Sequence, residues 1–496
     1  MTDENPADLE SLFDPKPDKR IETHISKIFL CGDRAFKLKK AVKLPFIDFS
    51  TLALRQDAAE RELRFNRRSA PDLYLGLRGV WRDAAGRLRF DPPPGAAIIE
   101  WLVEMRRFDI EATLDRRLAH GLLTADDMDA VAAAVSDLHA KADISQRSAF
   151  ATADDTARKN LVCFQRLDAA AMPAADVAAM HAALMAEIAR HADRLKQRGP
   201  DGFVRRCHGD LHLRNIAWIE GRPLLFDCLE FDDALAEIDT LYDIAFLAMD
   251  LLSVGRRDLA NRALCRYLEL QSDDAGLALL PLYVSLRAGI RAHIAGLNPQ
   301  EWQRGVDYLG LARQALQPAR PRLVVLGGGS GTGKTLLARG LAPHLPGIAG
   351  GVVVRSDVTR KALYGVDAAQ PLPKAAYETG DLTQRTYAAM LDRARAILLA
   401  GQSAVLDAVH GKPQERAAAR MLAAELGVAC DTLWLQASQD VQIARVSARR
   451  GDASDADADV VRKQQNFLQP PQDWPHLDAG GEASAVLAQA RKLLSL

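Results

Sequence analysis

Two hydrophobic periods take turns along this chain. From Ile21 to Lys40 apolar and polar residues alternate on both sides of Cys31-Gly32-Asp33-Arg34, the spacing of a β-hairpin. Arg55 to Arg68 carries helical spacing and stops before Pro71. Strand-like pieces follow at Gly76–Trp81 and Leu88–Phe90, and again at Ile98–Met105 after the break Pro92-Pro93-Pro94. From Phe108 to Arg198 alanine, leucine and charged residues recur at helical spacing, predicting several amphipathic helices. Phe203 to Phe231 returns to strands and loops, and Ile238 to Gln317 is helical again. Beyond the stiff segment 317–321 the text alternates strands (323–326, 351–354, 403–407, 431–435) with helices. That order predicts a parallel sheet with crossover helices.

At 496 residues the chain exceeds the roughly 250–300 that one core usually serves, so more than one domain is expected. The pattern divides it into a polar, mobile tail (1–20), an α+β domain (21–316), a linker (317–321) and an α/β domain (322–496). A net charge of −1 argues against a dedicated duplex-DNA binder. The six cysteines are scattered without a CxxC pair, which reads as reduced, buried thiols and excludes a zinc or disulfide frame. The N-terminus lacks a secretory pattern and no apolar run approaches about 18 residues, so no membrane partner and a cytoplasmic location are expected.

The loudest chemical signal follows the strand at 323–326. Gly328-Gly329-Ser330-Gly331-Thr332-Gly333-Lys334-Thr335 fits GxxxxGK[ST] between a strand and a helix. Glycines let successive N–H groups curl around a phosphate at the positive end of a helix. Lys334 would reach the β/γ-oxygens, and Thr335 would ligate Mg²⁺ of bound ATP. The strand Ser403–Leu406 ends in Asp407, a second metal group, and no acidic residue follows to activate water. A kinase therefore fits better than a hydrolysing motor. Asp357 and Arg360, three apart after the second strand, suit a base and an anion clamp at an acceptor site. Arg445, Arg449 and Arg450 precede the Asp-rich loop 451–459, where a lid arginine, Arg449 foremost, would neutralise the transferring phosphoryl group.

A second cluster lies in the first domain. His208-Gly209-Asp210-Leu211-His212-Leu213-Arg214-Asn215 fits HxDxxxxN, and Asp227 follows Asn215 by twelve residues at a strand end. Phosphoryl transfer needs a group to orient the attacking hydroxyl and ligands for Mg²⁺. Asp210 suits the first role, Asn215 and Asp227 the second. His212 and Cys207 read as structural.

These residues, with LLFDCLEFDD after them, resemble the catalytic and metal loops of aminoglycoside phosphotransferase-like kinases, distant relatives of protein kinases. The resemblance implies a bilobal fold over 20–315, with a hinge near Glu100-Trp101 and a structural role for Asp243. It also implies a small-lobe lysine for the α/β-phosphates, Lys37 or Lys39, with Glu62 as its helix partner and Glu60 the second choice. No GxGxxG loop precedes the lysine, only Thr23-His24-Ile25-Ser26. GGGSGTGKT, SDVTR, LDAVH and SDADADVVRKQ resemble the P-loop kinase branch of zeta toxins, polynucleotide 5′-kinases and gluconate-type kinases. The joined chain is similar to bifunctional phosphotransferase/ATP-binding proteins of the AAA-family type. ATP, Mg²⁺ and a small-molecule hydroxyl acceptor are implied, without an obligate protein partner. A nucleotide-gated regulator with a degenerate first domain, or a polynucleotide-end kinase, are the alternatives.

Overall fold

A computed structural model of the chain describes all residues except 1–3, 7, 14, 45–46, 369, 374–379, 450–452 and 467; Arg450 lies among these. The predicted hairpin belongs to a six-stranded antiparallel sheet. Its strands are β1 (Lys19–Glu22), β2 (Ser26–Cys31), β3 (Arg34–Lys39), β4 (Tyr74–Arg82), β5 (Leu88–Arg89) and β6 (Ile98–Arg106), in the order β1-β2-β3-β6-β4-β5. Strand alternation sorts β3 by face. Phe36 and Leu38 join Phe29, Val80 and Leu102 in an apolar core, while Lys37 and Lys39 turn to the opposite face.

The polarity of residues 1–20 predicts a mobile tail, and here the structure differs. Leu9 and Phe13 are buried in the same apolar core. Asn5 Nδ2 donates to Lys39 O (3.0 Å) and Glu100 Oε2 (2.8 Å). Two spaced apolar side chains are enough to dock a segment that is polar on average.

Helix Leu52–Asn66 connects β3 to β4 and packs on the sheet. Thr51 starts it by accepting the Leu54 N–H. Arg55 is fully buried in this helix and pairs with Glu100 of β6 at 2.9 Å, so Glu100 serves as an anchor between helix and sheet. Farther on, β7 (Ile216–Ile219) and β8 (Arg222–Leu225) form a hairpin that separates the HGDLHLRN loop from Asp227.

The last third forms a five-stranded parallel sheet. It contains β9 (Arg322–Gly327), β10 (Val352–Arg355), β11 (Ala404–Asp407), β12 (Ala429–Gln436) and β13 (His476–Asp478), ordered β10-β11-β9-β12-β13. β9 is central and wholly apolar from Leu323 to Leu326, as a strand covered on both faces must be. β13 has three residues, too few to leave a periodic signal in the sequence.

Contacts do not divide the chain at its proline-bearing linker. One compact unit comprises residues 1–159 and 188–250, and the other 160–187 and 251–496. Residues 317–321 lie outside helix and strand. The helices before them nevertheless pack with the P-loop sheet. Arg257 donates to Leu345 O (2.9 Å), Asn261 Nδ2 donates to Ala349 O and Gly351 O (both 2.8 Å), and Asp274 pairs with Arg393 at 2.7 Å. Linker composition marks a change of periodicity, whereas compactness follows buried contacts.

All six cysteines are free thiols, Cys207, Cys228 and Cys265 buried and the other three half-buried, against the expectation that all are buried. No helix among the described residues is long and apolar enough to cross a membrane.

Candidate functional site

In the first unit, β3 and the helix Leu52–Asn66 meet at a carboxylate. Glu62 is fully buried and takes both lysines of β3, Lys37 at 2.8 Å and Lys39 at 2.5 Å. Glu60 lies on the exposed side of the helix, accepting from Gln56. Lys37 also reaches Asp227 Oδ1 at 2.6 Å, which puts it at the cleft. Burial works against its charge, but Asp227 and Glu62 outweigh that and hold its pKa well above the ordinary lysine value. Lys39 also pairs with Glu230, a buried acid within the LLFDCLEFDD segment whose partner no local spacing marked. Burial pushes the Glu230 carboxyl up, against the pull of Lys39.

The HGDLHLRN loop is held from below. Asp243, fully buried, accepts the N–H groups of His208 (3.0 Å) and Gly209 (2.9 Å) and lies 3.1 Å from His139 Nε2. His208 accepts the Asp210 N–H at Nδ1 (3.3 Å) and donates from Nε2 to Phe226 O (2.9 Å), which fixes one neutral tautomer. Burial lowers its pKa in the same sense. Gly209 has φ +84°, and a Cβ there would lie 2.9 Å from Leu229 Cβ. A glycine is therefore required where the loop passes the segment after β8.

Asp210 is partly exposed, with Asn215 Nδ2 donating to its Oδ2 at 2.9 Å and His212 Nε2 at 3.3 Å. His212 therefore stands beside the candidate base, in addition to packing edge-on against Phe246. Asn215 Oδ1 meets no donor among the described residues and is free to ligate a cation. Asp227 adopts φ +58° just after β8, which aims its exposed carboxylate at Lys37. Asn215 Oδ1 and the Asp227 carboxylate form an all-oxygen set that suits Mg²⁺. At the β1–β2 turn, where phosphate coverage would come from, Thr23 Oγ1 accepts from Ser26 N (2.9 Å) and Ile25, like Phe231, packs on the cluster of Ile47, Phe49 and Ala58.

In the second unit the glycine loop leaves β9 and enters helix Lys334–Leu341. Gly328, Gly331 and Gly333 have φ of +138°, +80° and +91°. A Cβ on Gly331 would lie 2.6 Å from Gln442 O. Lys334 Nζ donates to Gly329 O at 2.8 Å across the mouth of the loop. Burial lowers its pKa, which Asp407 and Asp357 partly restore. Thr335 Oγ1 donates to Asp407 Oδ2 at 2.7 Å, placing two oxygen ligands together at the end of β11.

These groups open onto a cavity of about 1010 Å³. Lys334, Thr335 and Asp407 line one part of its wall; Asp357, Arg360, Arg445 and Arg449 line others. Asp357 sits in the first turn of helix Ser356–Tyr364, whose N-cap is Arg355. Burial raises its pKa above the ordinary carboxyl range, and the nearby Asp407 charge adds to this. Arg360 donates to Thr383 at 3.1 Å. Lys361 is buried and pairs with Asp455 at 2.9 Å, while Asp455 also accepts Leu372 N. Tyr387 and Gln464 complete the wall; Tyr387 comes from a helix that carries no motif, and Gln464 closes the SDADADVVRKQ segment without having been picked out as a site residue.

A family model described as an AAA domain matches residues 323–471. Among solved structures, a gluconokinase from Sinorhizobium meliloti is similar over 36% of this chain and 93% of its own (20% identity, TM-score 0.27). The Mycobacterium tuberculosis APS kinase CysC is similar over 36% of this chain and 100% of its own (19%, 0.25). A choline/ethanolamine kinase family protein from Mesorhizobium loti covers 60% of this chain and 87% of its own (13%, 0.38). The curated relatives include the uncharacterized proteins Rv2004c of M. tuberculosis and Mb2027c of Mycobacterium bovis. Each is 34% identical over 486 residues, spanning 95% of this chain and 94% of the relative. With 34% identity over an alignment that spans both units, an antiparallel-sheet unit and a P-loop parallel-sheet unit in one polypeptide, the chain belongs to the family of these mycobacterial proteins.

Proposed function

We propose that the protein is an ATP- and Mg²⁺-dependent phosphotransferase with two sites, each acting on a hydroxyl of a small molecule. The observation that supports this most is the cavity of the second unit, which gathers phosphate cradle, metal ligands, a half-buried carboxylate and arginines around one space. Mg²⁺ held by Thr335 and Asp407 would neutralise phosphate charge. Asp357 accepts the proton of the acceptor hydroxyl, and its raised pKa makes it a stronger base than an exposed aspartate. The acceptor oxygen bonds to the γ-phosphorus as the bond to the β-phosphate oxygen breaks, and ADP departs with the electron pair. Lys334, Arg445 and Arg449 stabilise the charge spread over the transferring group.

In the first unit, Asp210 takes the base role, with Asn215 and Asp227 as metal ligands and Lys37, oriented by Glu62, as phosphate ligand. The net charge of −1 favours a small acceptor over a polynucleotide end.

The test is Mg²⁺–ATP titration of the full chain, followed by γ-labelled ATP with a panel of hydroxyl acceptors. Lys334→Ala is expected to abolish nucleotide binding and transfer at the second site without lowering thermal stability. Unchanged binding stoichiometry and labelling in that variant would overturn the assignment.

A further inference from the structure

Helix Ala458–Gln465 starts at Asp457, whose side chain accepts the Val460 N–H, and it turns Val460, Lys463 and Gln464 toward the cavity. Gln464 Oε1 accepts the N–H of Ser330 at 2.7 Å. Ser330 stands inside the glycine loop, among the backbone donors that phosphate would use. The contact depends on a missing side chain: a Cβ on Gly329 would lie 3.2 Å from Gln442 Oε1 and 3.5 Å from Gln464 Oε1. Gln442 is buried and fixed by its own donation to Ala437 O at 2.7 Å, so the space cannot widen on that side.

With its oxygen committed to Ser330, the Gln464 amide is oriented, and its Nε2 donates to no protein group among the described residues. A half-buried amide at the rim of a phosphate loop thus holds an unused pair of N–H donors.

We propose that Gln464 is a catalytic residue of the P-loop site, donating from Nε2 to the oxygens of the γ-phosphoryl group while Ser330 holds its other end. This rests on the phosphotransferase reading above. The balance of the reaction is unchanged: the acceptor oxygen joins phosphorus, the β-side P–O bond breaks, and the proton passes to Asp357. Gln464 supplies a neutral donor where Lys334, Arg445, Arg449 and Lys463 already crowd positive charge. Because a nucleoside diphosphate lacks the γ-phosphoryl group, this donor is expected to distinguish ATP from ADP.

The experiment measures Mg²⁺–ADP and Mg²⁺–AMPPNP affinities by calorimetry on the full chain, in an Asp227→Ala background that silences the first site. Gln464→Ala is expected to weaken AMPPNP about ten- to a hundredfold, the usual worth of a hydrogen bond to a charged group, and to change ADP affinity less than about twofold. Gln464→Glu keeps the shape but turns a carboxylate toward the phosphate, and is expected to weaken AMPPNP further. AMPPNP binding at or above wild-type strength in Gln464→Ala would mean that the amide merely occupies the loop until phosphate displaces it, and would overturn the proposal. Equal loss of ADP and AMPPNP would overturn it in favour of a structural role. Absence of nucleotide binding in the parent protein would instead refute the phosphotransferase reading itself.

Discussion

Replacing Asp243 with alanine removes the acceptor from which the HGDLHLRN loop hangs. The carboxylate is fully buried and serves His208 N–H, Gly209 N–H and the His139 ring at 3.0, 2.9 and 3.1 Å. Alanine leaves two backbone donors and a ring nitrogen without that partner. Each orphaned donor costs about 1–3 kcal/mol, and breaking a buried charged contact costs about 3–5 kcal/mol. A loss of about 3–5 kcal/mol is therefore expected in the stability of the first unit. Hydrogen exchange read by mass spectrometry on peptides covering residues 204–213 tests this directly, because two of the lost bonds are amide protons. Local opening made easier by about 3 kcal/mol speeds exchange by roughly 10²-fold. Asp243→Asn keeps one acceptor oxygen and should show about half the loss. Unchanged protection of His208 and Gly209 in the alanine variant would refute the claim that Asp243 holds the loop.

Asp357 has a folded-state pKa above its unfolded value, so the native state binds that proton more tightly and ionisation at neutral pH costs stability. The cost fades as pH falls through the raised pKa. Asp357→Asn should therefore melt higher than wild type at pH 7, converge with it in acid, and transfer phosphate roughly 10²–10⁴-fold more slowly; a lower melting point at pH 7 would count against this. Asp210→Asn should cut transfer by the first site over a similar range, about 10²–10⁴-fold, with little change in ATP affinity. Asp227→Ala should weaken Mg²⁺–ATP binding and turnover together, and calorimetry beside single-turnover rates separates the two. Gly331→Ala places a Cβ 2.6 Å from Gln442 O at φ +80° and should abolish nucleotide binding in the second unit; wild-type affinity would refute the cradle.

What could be read from the chain was whatever is local. The P-loop announces itself because three glycine conformations and a β-branched strand are encoded within a dozen residues. The same holds for β3, whose alternation places Lys37 and Lys39 on one face before any partner is known. Tyr387 left no signal because it reaches the site from a distant helix; Glu230 and Gln464 lie inside LLFDCLEFDD and SDADADVVRKQ, but their partners Lys39 and Ser330 are far away in sequence and spacing does not reveal them. A loop histidine alone says nothing about an aspartate two residues away, so His212 reads as structural until the fold brings its Nε2 to Asp210. The N-terminal segment misled for the opposite reason. Averaged polarity hid Leu9 and Phe13, the two side chains that decide where it goes.

The grip of residues 251–316 on the P-loop unit bears on how the gene could be cut or inherited. Arg257 and Asn261 satisfy carbonyl groups of Leu345, Ala349 and Gly351, in the segment that leads into β10. A protease nicking the exposed stretch 317–320 would sever the chain without freeing a finished module, and the halves would remain associated until denaturant was added. A gene fragment starting at the linker would express a sheet stripped of its own helical brace, prone to clump through the uncovered edge. Recombination at the apparent seam would split that brace from its sheet; the relatives match across the seam, over 95% of the chain.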